Sequence, residues 1–448
     1  MASMRTVVYA VVESVILGEK IKPIQEAVRR VLYRYRISDE VLFKKISGLV
    51  YNIFRNHGLV DYIVENLTGL SPRDLNSVAR GVLRVAGYVF QIDTIMSDKW
   101  RHKFHKHLIE YSQRKLGSKS KTIVEAIEKI TRVKWSPSSK YEEFMLEYRI
   151  HPGLYRLLEE AFRELNEDLD KFLKETLKPP PYHVLRVNML KASRDAILKY
   201  LSDRGYRVEP GKYSPQAIRV YGSLGDDIIK LIETGVVTPQ DEASMVAVEL
   251  LPLREGIVVA DLCAAPGNKT SYVAERTRLK AEIHAFDVNR DRIKRMRRLL
   301  ERTGTDKVVK IYHMDARKAV DILGRESMDI VLVDPPCSST GALARNPDVR
   351  WRYEIDELKE INELQKQLLE TAAKIVKKGG YILYTTCSVL PSEGEYVVKH
   401  VLEKHDNLEL VSLNRPFKKS PLLEETMRSY PHIHGVTGFF YALIKKKY

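Results

Sequence analysis

Apolar residues recur at helical spacing from the start of the chain: Val7, Val11, Val12 and Val15, then Ile24, Ala27, Val28, Val31 and Leu32. Positions three and four apart share one face of a helix, so this spacing predicts amphipathic helices. Pro23 suits a first turn, and Ser38-Asp39-Glu40 reads as a cap before the next helix. The same period continues through Leu59 to Leu67 and Leu75 to Val89, with Ser71-Pro72 as a start signal between them. Residues 1–135 are therefore expected to form an all-helical domain, with Met1 to Lys22 a mature helix rather than a signal peptide. Trp135-Ser136-Pro137-Ser138-Ser139 reads as a linker.

Residues 140–178 carry two further helical patterns, closed by Lys178-Pro179-Pro180-Pro181. The period then changes. Val184 to Val187 is strand-like, Ser193 to Arg204 is an amphipathic helix ended by Gly205, and Tyr206 to Val208 and Ala217 to Val220 are short strands. A helical linker plus a small α+β module over 140–238 is the expectation. From residue 239 the pattern becomes that of a doubly wound α/β domain reaching residue 448. Its expected strands are Ile257 to Leu262, Glu282 to Asp287, Val308 to His313, Ile330 to Asp334, Tyr381 to Thr385 and Phe439 to Ile444, with a strongly basic helix at Arg290 to Arg302.

Composition narrows the functional classes. A formal charge of +15 and Lys or Arg clusters at 29–36 and 99–106 suggest a polyanionic partner, because attraction to phosphates accumulates over many cations. No stretch is apolar for long enough to span a bilayer. The three cysteines, Cys263, Cys337 and Cys387, form neither a disulfide framework nor a CxxC zinc pattern, so a cytoplasmic protein without a metal is expected.

The candidate chemistry lies at strand ends, where ligands of open α/β sheets bind. Asp261 to Thr270, DLCAAPGNKT, is a strand, a loop of small residues and a helix start. It is neither GxGxxG nor a P-loop, which argues against a dinucleotide or ATP. Asp287 ends the next strand, where an acid accepts from ribose hydroxyls, and Asp315 follows the third, placed to meet an adenine amino group. Together they imply an adenosine-type cofactor. Two cysteines also follow strand ends, Cys337 in VDPPCSSTG and Cys387 in YTTCS. Each sits among polar residues or prolines, which suits a reactive thiol better than a packing one.

DLCAAPGNKT, VDPPCSSTG, YTTCSVLPSEGE and the terminal GFFYALIK resemble the S-adenosyl-L-methionine (AdoMet)-dependent RNA cytosine-5 methyltransferases of the Sun (RsmB, Nop2-like) family. The resemblance covers roughly residues 180 to 448 and includes Arg186-Val187-Asn188 and Gln240 to Ser244. It implies a Rossmann-like class I methyltransferase domain with an RRM-like α+β module. By weaker similarity, Val50 to Asn56 and Arg80 to Ala86 resemble the NusB-like all-α domain that bacterial rRNA members carry. The resemblance further implies Cys387 as nucleophile toward cytosine C6, Asp334 on the N3/N4 edge of the base, and Cys337 in removal of the C5 proton. AdoMet-binding positions carried over are Cys263, Ala264, Ala265, Pro266, Gly267, Asn268, Lys269, Asp287, Arg292, Asp315 and Asp334. Asn268 replaces the usual second glycine of its motif, and Thr437 stands where an Asp commonly precedes GFF.

The expected partner is RNA, rRNA before tRNA, acted on by a monomer. Two other readings compete: a non-catalytic AdoMet-binding ribosome-assembly factor, and a DNA-type mechanism in which Cys337 attacks and Cys387 has no role.

Overall fold

A computed structural model of the chain describes residues 3–21, 24–351 and 355–448. Pro23, expected in a helix first turn, lies outside the described residues. The chain divides into two units, Met1–Tyr155 with Arg350–Arg352, and Arg156–Val349 with Tyr353–Tyr448.

The first unit is helical, as the apolar spacing predicts. Helix Met4–Gly18 is apolar almost throughout, and Val8, Ala10, Val11, Val12 and Val15 are fully buried. The surrounding helices, among them Glu40–Arg55, His57–Thr68, Ser77–Gly87 and Asp98–Leu116, each contribute one apolar face to the same core. Asp39 caps Glu40–Arg55, accepting from the Leu42 amide at 2.7 Å. Several of the surface cations are matched locally: Arg30 with Glu26 at 2.7 Å and Arg34 with Glu13 at 3.2 Å. Trp135 to Ser138 carries no regular secondary structure. No helix among the described residues is long and apolar enough to cross a membrane.

The second unit holds two sheets. The smaller is antiparallel, built from β1 (Tyr182–Val187), β2 (Val208–Pro210), β3 (Ala217–Tyr221) and β4 (Val237–Pro239) in the order β2-β3-β1-β4. Alternation decides its two faces. Leu185, Val187, Ile218 and Val220 pack with Ile197 and Leu201 of helix Arg194–Ser202 and Ile228 of helix Asp226–Glu233, while Val184 and Ala217 join the core of the larger domain.

The larger sheet contains β5 (Val258–Asp261), β6 (Glu282–Asp287), β7 (Val309–His313), β8 (Met328–Val333), β9 (Val376–Thr386), β10 (Leu408–Val411), β11 (Lys418–Ser420), β12 (Leu423–Ser429) and β13 (Phe439–Lys446). Their order is β11-β12-β13-β9-β8-β5-β6-β7, with β10 on β13. β5 to β9 are mutually parallel, and β13 runs antiparallel to β9. The central parallel strands β5, β6 and β8, with the second half of β9, are apolar runs buried on both faces, whereas the edge strand β7 is only partly buried. Strand order reverses between β5 and β8, and at such a point the flanking loops part and leave a crevice beyond the strands' carboxyl ends.

A buried arginine joins module to domain. Arg186 on β1, fully buried, pairs with Glu275 at 2.6 Å and donates to the Asn268 carbonyl at 2.7 Å, to Ser271 Oγ at 2.8 Å and to Gln240. Breaking one side of such a pair leaves a buried charge and costs about 3–5 kcal/mol. Arg186 thereby ties the module to the helix that follows the small-residue loop.

Candidate active site

The cofactor side of the crevice is formed by acids held at successive strand ends. Asp261 closes β5 and accepts from Thr270 Oγ1 at 2.7 Å. Burial pushes its carboxyl up to about 6, with the Thr270 hydrogen bond opposing and the nearby Asp334 charge adding to the rise. Gly267 turns the loop at φ 102°, a left-handed conformation that suits glycine, and a Cβ there would sit 2.8 Å from Met296 Cγ. Asp287 closes β6 and accepts from the Ala265 amide at 3.2 Å and the Asn289 amide at 2.8 Å, with Arg292 3.5 Å away. Arg292 also donates to the Ala265 carbonyl, so the small-residue loop is held by two side chains from the next strand–helix junction. Asp315, past β7, is gripped by Arg317 at 2.6 Å, and that contact holds it below the usual carboxylate range.

The thiol side is assembled from two loops. Cys337 follows β8 and Cys387 follows β9, and their Sγ atoms lie 3.4 Å apart. Ser339, at φ 58°, places its Oγ 3.4 Å from Cys387 Sγ. The hydrogen bond with Cys337 and that with Ser339 draw the Cys387 thiol below its ordinary range, against burial. The same shared bond, reinforced by burial, pushes Cys337 well up, so Cys387 is the thiol of the pair that ionises more readily.

A polar network staples the loops. Buried Glu393 accepts from the Ser338 amide at 2.8 Å and from the Ser338 hydroxyl, and from Gln365 at 3.3 Å. Gln365 also donates to the Pro336 carbonyl at 2.8 Å. The Gly341 amide donates to the Cys387 carbonyl at 3.0 Å, and Thr340 Oγ1 lies 3.0 Å from Ser388 Oγ. Behind them Arg428 pairs with Glu395 at 2.5 Å and donates to the Ser388 and Leu390 carbonyls, fixing the chain just past Cys387.

Lys269 links the two sides. It starts from the cofactor loop's helix and ends 2.6 Å from Asp334, at the mouth of β8. Among the sequence-derived candidates, Cys263, Asp287, Arg292, Asp315, Asp334, Cys337 and Cys387 line one cavity of about 430 Å³. Ala264 to Lys269 do not line it; they form the turn and helix start, and Lys269 reaches the cavity through Asp334. Thr437 donates to Asp241 at 2.8 Å, which keeps the terminal GFF strand tied to the domain. Sequence reasoning missed Ser339, Arg317, Gln365 and Glu393. Ser339 and Glu393 stand inside the quoted motifs VDPPCSSTG and YTTCSVLPSEGE, the signal that could have found them. The apolar wall of Leu364 and Leu368 carried no such signal.

The donor set suits an adenosine-bearing cofactor: carboxylates at the ends of β6 and β7, with Met314, Leu364 and Leu368 as apolar walls. Fold and cleft together define a Rossmann-like methyltransferase domain carrying a small ferredoxin-like module. Family comparison places both parts. Residues 248–445 match the 16S rRNA methyltransferase RsmB/F family, and residues 156–224 match the ferredoxin-like domain of RsmF/B-like methyltransferases. The chain belongs to the RsmB/F (Sun) family.

Its relatives include a probable ribosomal RNA small subunit methyltransferase B of Bacillus subtilis (strain 168), 32% identical over 273 residues, and a ribosomal RNA small subunit methyltransferase B of Photorhabdus laumondii, 34% identical over 270. Each alignment covers 60% of this chain, and the chain spans about 60% of the length of each of these relatives. The crystal structure of PH0851 is similar over 100% of both chains, at 33% identity and a TM-score of 0.81. A methyltransferase homolog protein from Pyrococcus horikoshii matches over 70% of this chain and 100% of its own, at 28% identity and a TM-score of 0.59.

Proposed function

We propose that this chain transfers a methyl group from AdoMet to C5 of a cytosine in RNA, with rRNA favoured over tRNA. The observation that carries this reading is the thiol pair, 3.4 Å apart in a cleft that also holds the Lys269–Asp334 pair. Aromatic C5 is a poor nucleophile until C6 is attacked, so C5 methylation requires covalent help. Cys387, the thiol drawn low, adds to C6 and turns C5 into an enamine carbon. Asp334 hydrogen-bonds the N3/N4 edge and favours the addition. AdoMet, when bound, supplies the electrophilic methyl group. Cys337 assists removal of the C5 proton, after which the Cys387–C6 bond breaks and the base is released.

The cofactor is held by the Cys263 to Lys269 loop with Asp287, Arg292, Asp315 and Asp334. Basic helix Arg290–Thr303 and the cationic clusters of the N-terminal helices contact phosphates, and the target base turns out of its stack into the cleft. Residues 1–135 serve as a NusB-like RNA-binding domain, 140–238 as the linker and RRM-like module, and 239–448 as the catalytic domain of a cytoplasmic monomer. The names of the bacterial relatives, rRNA small subunit methyltransferases B, support rRNA as substrate.

RNA containing 5-fluorocytidine, incubated with AdoMet, tests the roles. An adduct that survives denaturation in the wild type and Cys337→Ala and vanishes in Cys387→Ala is expected. Loss of the adduct in Cys337→Ala alone returns the DNA-type mechanism, and no adduct on rRNA, tRNA or bulk RNA favours a binding factor.

A further inference from the structure

The thiol pair stands ready for a second chemistry. Two sulfurs 3.4 Å apart are in hydrogen-bond contact, and a disulfide closes at about 2.0 Å. The loops that carry them are already fixed to one another through Glu393–Ser338, Thr340–Ser388 and Gly341–Cys387, so the fold holds the two sulfurs at this approach. Both sulfurs line the same open cavity, where a small oxidant reaches them. The third cysteine, Cys263, lines that cavity too, yet among the described residues the Cys337–Cys387 contact is the one thiol–thiol hydrogen bond.

We propose that Cys337 and Cys387 form a reversible intramolecular disulfide under peroxide, with Cys387 as the peroxidatic and Cys337 as the resolving cysteine. The Cys387 thiolate attacks one oxygen of hydrogen peroxide: a sulfur–oxygen bond forms, the oxygen–oxygen bond breaks, and hydroxide leaves and is protonated to water. Cys337 then attacks the sulfenic sulfur as its own proton passes to the departing hydroxide. The sulfur–sulfur bond forms, the sulfur–oxygen bond breaks, and a second water is released. Two thiols and one peroxide become one disulfide and two waters, the sulfur pair having lost two electrons. The division of labour follows from the site. Cys387 Sγ lies 3.4 Å from both Cys337 Sγ and Ser339 Oγ, and these contacts draw its thiol below its ordinary range while that of Cys337 is raised. A small-molecule dithiol reverses the link, because the pair opens on an accessible cleft. The linked state has no free sulfur for C6, so the proposed methyl transfer stops while it lasts.

The full-length chain, reduced and then treated with stoichiometric hydrogen peroxide, is alkylated and counted for free thiols, and its peptides are mapped without reduction. The free thiols are expected to fall from three to one, with the Cys337 and Cys387 peptides joined within one chain, and dithiothreitol is expected to restore all three. Cys337→Ser is expected to stop at a dimedone-reactive Cys387 sulfenic acid, and Cys387→Ser to slow peroxide consumption by about tenfold or more, since the more readily ionised thiol of the pair is gone. Dimedone labelling of wild-type Cys387 with no joined peptide overturns the proposal, as does a link through Cys263 or between two chains. These readings involve no methyl transfer, so they decide the disulfide whatever the assay on RNA shows. A parallel loss and dithiothreitol-driven return of the 5-fluorocytidine adduct rests on the function proposed above.

Discussion

The two sides of the cleft are built on opposite principles. On the cofactor side, Asp261, Asp287 and Asp315 each sit at the end of their own strand, and most of their contacts come from nearby chain: Thr270 for Asp261, the Asn289 amide for Asp287, Arg317 for Asp315. On the thiol side the decisive contacts run between distant stretches of chain. Cys337 and Cys387 are separated by fifty residues, follow the neighbouring parallel strands β8 and β9, and are held together where Glu393, Gln365 and Thr340 lash one loop to the other. A binding surface can be assembled from independent parts, whereas a nucleophile and its proton partner need a common frame, since an error of about 1 Å between reacting groups costs about 100-fold in rate.

The sharpest way to break this comparison is to remove the nucleophile. Cys387→Ala is expected to lower methyl transfer to RNA by more than about 10⁴-fold, in the range seen when a covalent catalyst is deleted. AdoMet affinity by calorimetry is expected to stay within about twofold, because the carboxylates on the other side stand without it. A large loss of AdoMet affinity in this variant would mean that the two sides fold as one element, and the contrast would fail.

That contrast also explains what could be read in the chain. The acids were legible because apolar runs of β-branched residues mark parallel strands, and the residue that ends such a run is presented to the crevice. The strand-end position of Asp287 follows from that alone, while the order of the strands in the sheet does not. The thiols were legible as strand-end residues in a chain with three cysteines, while their meeting was not, because pairing across fifty residues leaves no local period. β4 and β11, each of three residues, are too short to show alternation, and β12, reading LEETMRS, is too polar to resemble a strand until β13 is beside it. Helix Asp226–Glu233 was missed beside them, although its Ile228 is fully buried in the module core.

The next effect in size tests the independence of the cofactor side. Asp261 is fully buried and its carboxyl is raised from 3.8 to about 6. The folded protein therefore holds a proton that the unfolded chain releases between about pH 4 and pH 6, and stability falls as pH rises through that window. A shift of about two units corresponds to about 3 kcal/mol. Asp261→Asn keeps the shape and removes the titration, so urea denaturation at pH 4.5 and 7 is expected to show the wild type losing stability relative to the variant at the higher pH. A parallel pH dependence in both proteins would place the raised carboxyl elsewhere.

A smaller effect is expected from the staple of the thiol side. Glu393→Gln retains size but weakens the charged hydrogen bonds to Ser338, worth about 1.5–3 kcal/mol each. Methyl transfer is expected to fall by about 100-fold with AdoMet affinity unchanged, the mark of a residue that positions the sulfurs without touching the cofactor. The accompanying readout is disulfide closure: the Cys337–Cys387 link is expected to form more slowly in the variant. A normal rate of closure with a depressed methyl transfer rate would move Glu393 from holding the loops to contacting the RNA.

The smallest effect, and the most informative, belongs to the residue that crosses between the two sides. Lys269 begins on the cofactor loop's helix and ends on Asp334 at 2.6 Å, with its side chain mostly buried. Its charge also helps to hold the Cys387 thiol low, behind the larger hydrogen-bond contributions from Cys337 and Ser339. Lys269→Met keeps the length and removes the cation. Asp334 then loses its ion-pair partner, and Cys387 loses one of the influences favouring its thiolate, so the thiol titrates at higher pH. Methyl transfer at pH 7 is expected to drop by about tenfold, with the acid limb of the pH–rate profile displaced upward by about one unit, equivalent to 1.4 kcal/mol. Alkylation of Cys387 by iodoacetamide, followed against pH, is expected to move in the same direction. If the rate falls while the alkylation curve stays in place, Lys269 acts on Asp334 alone, and the cofactor side reaches the base without reaching the nucleophile. If both curves move, one lysine couples an otherwise independent set of carboxylates to the framed pair of thiols.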